Sequence, residues 1–450
     1  MLRVDQIVKG SVEQLDVHGT GILAINRDRV YVADVLPGES IRVKIVKKIK
    51  EGYVGTVVQI DVPSPLRIEP PCKISKMCGS CHYLHIDYAH QLKIKKKAVI
   101  SLCMEEHMPL HVHDVIGMKD PYAYRNKIIA GFSRDKKGAV VTGFYEEHSH
   151  RIIPYERCRM HDAVCDRIIQ TIRRLLQAYR IEPYDEDRRK GILRHVLIRK
   201  GVVTGNIMVV LVTAQKVFPG VRNFLRDLLK EHPEIRTIIQ NINMRKTSVV
   251  LGNEEKVLYG PGYIEDVLCG LRFGISSRSF YQINHDQCEA LYKKAVELLQ
   301  LKGNEVLLDA YCGIGTIGMY AASHVKEVIG VESNKDAVKD AQANARYNRI
   351  KNIRFICDDA GSCMVGMAQR KQHVDAVIMD PPRSGSTVKF MEAVSRLKPG
   401  KVVYISCSPK TQIRDLKYFA KLGYHAKELF LFDMFPHTYH VESIVLMVMK

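Results

Sequence analysis

The sequence is short of several things, and each shortage narrows the reading. No apolar run approaches the ~18 residues that a membrane-spanning helix requires. The opening MLRVDQIVKG holds no apolar stretch of the kind a secretory leader carries, so a cytoplasmic location and no membrane partner are expected. Acidic residues are outnumbered, 49 against 68 lysines and arginines, leaving a formal charge of +19. Such an excess suits a polyanion, with nucleic acid ahead of an anionic membrane surface. Internal repeats and long disordered tracts are also missing, so the chain reads as folded throughout. A reducing compartment and a length of 450 residues leave no need for disulfide staples. The twelve cysteines therefore direct attention to metal binding or catalysis.

This length exceeds what one core organises, and three regions are expected. Residues 1–61 alternate apolar and polar positions in GILAI, RVYVADV, SIRVKIV and YVGTVVQI between turn signals, the signature of a small β-barrel. Lys44, Lys47, Lys48 and Lys50 give it a basic side suited to a phosphate backbone; the plainer reading is a lysine-rich edge strand that discourages aggregation. Residues 62–275 mix strands such as LRHVLIRKG and GNIMVVLVT with helices such as HQLKIKKKAVISLCMEE and CDRIIQTIRRLLQAY, a central α+β module. Residues 276–450 alternate helices with apolar strands and predict a doubly wound, mostly parallel α/β sheet of Rossmann-like type. The first helix of this region is expected to put Leu291, Ala295, Leu298 and Leu299 on one face.

Ligands of such sheets bind beyond the carboxyl ends of the strands. There the chain is polar: LLDAYCGIG ends a strand at Asp309 and turns through Gly313 and Gly315, and the next strand stops at Glu332, at a spacing suited to a carboxylate that binds ribose hydroxyls. Gly313, Gly315 and Gly318 match the dinucleotide fingerprint, so spacing alone leaves a nicotinamide site open. In PCKISKMCGSCHYLH, Cys72, Cys78 and Cys81 stand at C-x5-C-x2-C spacing, with Cys158 far downstream. Three close thiolates and a remote fourth build either a zinc tetrahedron or an iron–sulfur cluster. His82 and His85 stay unassigned, and Cys312 and Cys357 read as packing residues.

The segments SFYQIN, LDAYCGIGTIG, GVE, MDPPRSG, YISCSP and MFPHTYHVE stand in the order found in S-adenosylmethionine-dependent uracil-C5 RNA methyltransferases, which the whole chain resembles. The resemblance includes an amino-terminal TRAM barrel and a segment for a [4Fe-4S] cluster, as in the branch acting on 23S ribosomal RNA. The resemblance implies Cys407 as the nucleophile that adds to carbon 6 of the uracil, Glu442 as the base that removes the carbon 5 proton, and Asp380 as an acid near cofactor and base. It implies Gln282, Tyr311, Glu332, Asp359 and Asp380 as contacts to S-adenosylmethionine. Phe280 is expected to stack on the flipped uracil. Cys72, Cys78, Cys81 and Cys158 would hold the cluster, with zinc the lesser choice.

Taken singly, Cys407 could be an inert buried cysteine, Asp380 a turn former and Glu442 a surface charge; the constellation is what favours chemistry. Ser408 stands where the family more often has asparagine. Transfer RNA is the alternative substrate, and an RNA-binding factor without catalysis is the alternative class. A cytosine-C5 enzyme would carry a second cysteine where DPPRSG stands.

Overall fold

Period-two burial governs the first sixty residues. Strands Ile7–Ser11, Gln14–Leu15, Gly21–Ile25, Asp28–Val32, Ser40–Ile49 and Gly52–Val62 form one six-stranded sheet. Ile41, Val43 and Ile45 alternate inward to a core shared with Leu23, Val30 and Val32, while Lys44, Lys47, Lys48 and Lys50 are exposed. The edge-strand reading fails for Lys44, which stands opposite Ile7 on one neighbouring strand and Thr56 on the other. An internal strand needs no protection of its edge.

The computed structural model describes residues 2–146 and 149–449, and the chain divides into two compact units. One comprises the residues through Pro121 together with Phe430–Val441. Within it the helix Tyr88–Glu105 carries a fully buried Lys95, whose ammonium donates to Asp433 Oδ1 at 2.5 Å and to the Phe435 carbonyl at 3.1 Å. Tyr88 Oη donates to the second carboxylate oxygen at 2.7 Å. A buried ion pair persists only when its hydrogen-bonding capacity is filled in this way.

The other unit spans Tyr122–Leu429 and the chain from Glu442 onward. It opens with a seven-stranded sheet in the order Ile152–Pro154, Val140–Tyr145, Lys127–Arg134, Leu193–Lys200, Ile207–Thr213, Ile235–Ile242, Glu254–Tyr259. Helices Ala163–Ala178 and Val221–Glu231 cover one face through Ile168, Ile172, Phe224 and Leu228, packed with Ile128, Val196, Ile198 and Val209 of the strands. A hairpin, Tyr263–Leu268 and Leu271–Ser276, leads into the last region.

Here strands Ile353–Cys357, Glu327–Glu332, Val306–Ala310, Ala376–Met379 and Lys401–Ser406 lie side by side and parallel. Glu442–Met449 joins antiparallel to Lys401–Ser406, with Tyr424–Phe432 beyond it. This is the doubly wound sheet that the apolar runs predict, since strands covered on both faces need no polar alternation. The helix His285–Leu299 buries Leu291, Ala295 and Leu299 as expected; Leu298 is half-buried, and Tyr292 and Val296 complete the stripe. Cys312 is buried, but Cys357 ends its strand exposed and is not a packing residue. Among the described residues no helix is long and apolar enough to cross a membrane.

Candidate active site

Five parallel strands deliver their carboxyl ends to one edge of the sheet, and the polar residues of the sequence motifs stand at or just after each end. After Val306–Ala310 the backbone turns sharply: Tyr311 adopts a left-handed φ of 65°, rare for a residue with a side chain and typical of ligand-binding turns. Gly315, at φ 81°, starts the helix Thr316–Ala321, and a Cβ there would come within 2.8 Å of Met319 Cε. The Glu332 carboxylate accepts hydrogen bonds from Gly313 N at 3.1 Å and Asn334 N at 2.7 Å, so it is fixed beside the glycine turn. Asp309 is buried beneath and accepts from Gly318 N at 2.9 Å. Burial, together with the charges of Asp380 and Glu332 and against the Gly318 bond, pushes its carboxyl up to about 7. Three carboxyls thus gather at this edge, a setting that favours a cation such as a sulfonium or an ammonium. The residues therefore fit S-adenosylmethionine.

The antiparallel register brings the next pair together. Ser406 lies opposite Ser443, so Cys407 and Glu442 follow and precede that pair at the same end. Ser443 Oγ ties the strands by donating to the Ser406 carbonyl at 3.1 Å and to Gln412 Oε1 at 2.8 Å. Cys407 is half-buried and Glu442 is 5 % exposed. Burial raises the thiol to about 11; the Glu442 and Asp380 charges add to this, and the nearby Arg383 opposes it. Burial and the Asp380 charge raise Glu442 to about 8, again against Arg383, and burial raises Asp380 to about 7.

Arg383 belongs to the D-P-P-R turn, which is anchored to the helix Pro409–Lys421 that begins just after Cys407. Thr411 Oγ1 donates to the Arg383 carbonyl at 3.2 Å, Arg414 to the Ser384 carbonyl at 2.8 Å, and Ser386 N to Asp415 at 2.7 Å. Ser408 is the N-cap of this helix, its side chain facing Thr411 N. Serine and asparagine are equally good caps, so either residue would serve this helix.

The remaining expected residues are distributed around this edge. Phe280 is 65 % exposed, and the residues before it are tied down: Ser279 Oγ donates to Asp340 at 2.5 Å, and Arg199 donates to the Ser277 and Ser279 carbonyls. Gln282 is half-buried, with its carbonyl held by Asn126 at 2.8 Å. Tyr311 packs 5.4 Å from the Phe390 ring. Asp359 is exposed and caps the helix Ala360–Gln369, accepting from Ser362 N at 2.9 Å, so it has a structural duty whatever else it touches. Sequence reasoning assigned no duty to Arg383 or Asp309; a thiol that must ionise calls for a nearby cation, and the quoted D-P-P-R held the only signal for one.

Among the described residues no three His, Cys, Asp or Glu side chains form a group able to hold a metal ion. Cys78 ends the one-turn helix Ser75–Cys78 and its thiol points to Ser80 Oγ at 3.2 Å, while Cys72 and Cys81 line a surface cleft with Arg67 and His85. No step is therefore derived through a cluster at Cys72, Cys78, Cys81 and Cys158.

Residues 253–450 match the family described as tRNA (Uracil-5-)-methyltransferase. An uncharacterized RNA methyltransferase of Halalkalibacterium halodurans is 37% identical over 99% of this chain and 98% of its own. Another from Clostridium tetani is 39% identical over 95% and 93%. The crystal structure of Pyrococcus abyssi tRNA (uracil-54, C5)-methyltransferase in complex with S-adenosyl-L-homocysteine matches 98% of this chain and 99% of that one, with TM-score 0.80 and 27% identity. Relatedness along nearly the full length, joined to a sheet edge that suits a sulfonium cofactor, assigns the chain to the S-adenosylmethionine-dependent RNA (uracil-C5) methyltransferases.

Proposed function

We propose that the protein converts a uridine of 23S ribosomal RNA to 5-methyluridine, with Cys407 as the covalent catalyst. The observation that carries the residue roles is the convergence of Glu442, Asp380 and Arg383 on one half-buried thiol. Carbon 5 of uracil is too electron-poor to displace a methyl group unaided. Addition of the Cys407 thiolate to carbon 6 forms an S–C bond and moves the ring's electrons into an enolate, which makes carbon 5 nucleophilic. Carbon 5 then takes the methyl group that S-adenosylmethionine supplies. Glu442 accepts the carbon 5 proton, and the returning electron pair expels the thiolate.

Arg383 favours the thiolate by its charge, and Asp380, with Asp309 and Glu332, offers negative charge to the cofactor's cation. Gln282, Tyr311, Glu332 and Asp359 contact the cofactor, and Phe280 presents an exposed ring on which an extruded base can stack. The cluster of Cys72, Cys78, Cys81 and Cys158 rests on donor chemistry and the family likeness; iron and sulfide analysis of protein purified without oxygen tests it. Residues 1–61 are the RNA-binding TRAM barrel of this reading, its exposed lysines meeting phosphates, and the enzyme works in the cytoplasm. A second reading, the same reaction on transfer RNA, is favoured by the full-length likeness to the Pyrococcus abyssi enzyme.

Cys407→Ala is expected to abolish methyl transfer while RNA affinity stays within about twofold of the native protein; a preserved rate would remove the nucleophile from the account. Mapping 5-methyluridine in ribosomal and transfer RNA from cells with and without the gene decides between the two substrates.

A further inference from the structure

Two glycines face each other in the central sheet. Gly131 on Lys127–Arg134 pairs with Gly143 on Val140–Tyr145, and His195 pairs with Gly131 from the other side. Both glycines line a hollow of about 840 Å³, well within the range of ligand pockets. The Tyr145 ring lies across Gly131, where a Cβ would come within 3.1 Å of it, and meets His195 edge-on with centroids 5.8 Å apart. Tyr184 lines the same hollow. His195 is 9 % exposed, and its Nδ1 has no hydrogen-bond partner. Burial and Arg194 push its pKa down to about 4, so the ring is neutral and suited to a base rather than to a phosphate.

The charges are arranged to receive an anion at the rim. Glu186 is taken up by Arg194, with contacts at 2.7 and 3.0 Å, and Glu146 by Arg151. Arg189 and Lys246, both exposed, line the hollow without a carboxylate partner among the described residues. The location is also telling. Ile128, Ala130, Val196 and Ile198 face the covering helices, so Ile129, Gly131 and His195 face the other way. Arg199 follows His195 on that same face, about 14 Å along the strand, and holds the carbonyls of Ser277 and Ser279 at the foot of Phe280. One face of the sheet thus carries both the hollow and the anchor of the exposed Phe280 segment.

We propose that this hollow receives a second, unstacked base of the substrate RNA, gripped between Tyr145, Tyr184 and His195, with an adjoining phosphate on Arg189 and Lys246. The inference rests on RNA being the substrate and is independent of which RNA it is. The test uses the full-length protein and an RNA that it methylates, so failure of the uridine assignment appears as absence of product, before any variant is made. The exposed pair Arg189→Glu/Lys246→Glu is expected to raise KM for RNA about tenfold, leaving kcat and KM for S-adenosylmethionine unchanged. Tyr145→Ala is expected to do the same, and Tyr145→Phe, which keeps the ring, to restore it. A 4-thiouridine scanned along the RNA should photocrosslink from one position to Tyr145 or Tyr184. An unchanged KM in the double variant, a loss confined to kcat, or no crosslink to either tyrosine overturns the proposal.

Discussion

Three side chains set what the sulfur of Cys407 can do before RNA arrives. Burial and the Glu442 and Asp380 charges hold the thiol up at about 11, Arg383 draws it back, and Glu442 is itself raised to about 8. In the proposed reaction both groups act deprotonated, and both gain that form as pH rises. The rate at limiting RNA is therefore expected to climb from about pH 6 to about pH 9, with no plateau before Glu442 has titrated. Initial-rate measurements across this range check it, and a profile that is flat or falls above neutrality would contradict it. Arg383→Met removes the compensating cation, so its profile should move to still higher pH; an unmoved profile would show that the guanidinium does not tune the thiol. The same balance explains what was legible at this scale. Glu332 could be read from its place at a strand end, whereas Arg383 lies in a turn where nothing in the spacing says which way a side chain faces. Asp359 shows the reverse case: its position suggested a cofactor contact, and its first duty is a helix cap.

At the scale of elements, parallel strands buried on both faces read as unbroken apolar runs, and every strand of the cofactor sheet from Val306 to Ser406 could be found in the sequence. The meeting of Cys407 with Glu442 could not be found that way. It depends on the antiparallel register of Lys401–Ser406 with Glu442–Met449, a pairing of segments far apart in the chain, and only the likeness to a family anticipated it. The MFPHTYH segment before Glu442 has its own anchor in the buried Lys95–Asp433 pair. Lys95→Ala would leave Asp433 buried and unpaired, which is expected to cost about 3–5 kcal/mol of folding stability. Urea denaturation followed by circular dichroism measures this, and a loss below about 1 kcal/mol would mean that water or another group replaces the ammonium.

For the whole molecule, the net charge of +19 and the exposed Lys44, Lys47 and Lys48 bear on how RNA is held. Neutralised phosphates release counterions, so affinity should fall steeply with salt. Replacing the three lysines with glutamate is expected to weaken RNA binding and to make the slope of log affinity against log salt shallower by roughly 0.7–0.9 for each phosphate no longer neutralised. Filter binding over a salt series reads both; an unchanged slope would take these lysines off the RNA path. The amino-terminal strands were legible because one buried face imposes strict alternation, and the cysteine spacing was equally visible. Spacing alone does not say whether those thiols form a ligand set. The claim on which all of this depends is a transient bond between Cys407 and carbon 6 of a uracil. The most direct measurement incubates the native protein and S-adenosylmethionine with substrate RNA carrying 5-fluorouridine at the target position, where fluorine replaces the proton that the proposed base, Glu442, removes. The account predicts a stable protein–RNA adduct whose mass-mapped peptide is joined at Cys407; no adduct, or one joined at another cysteine, would contradict it.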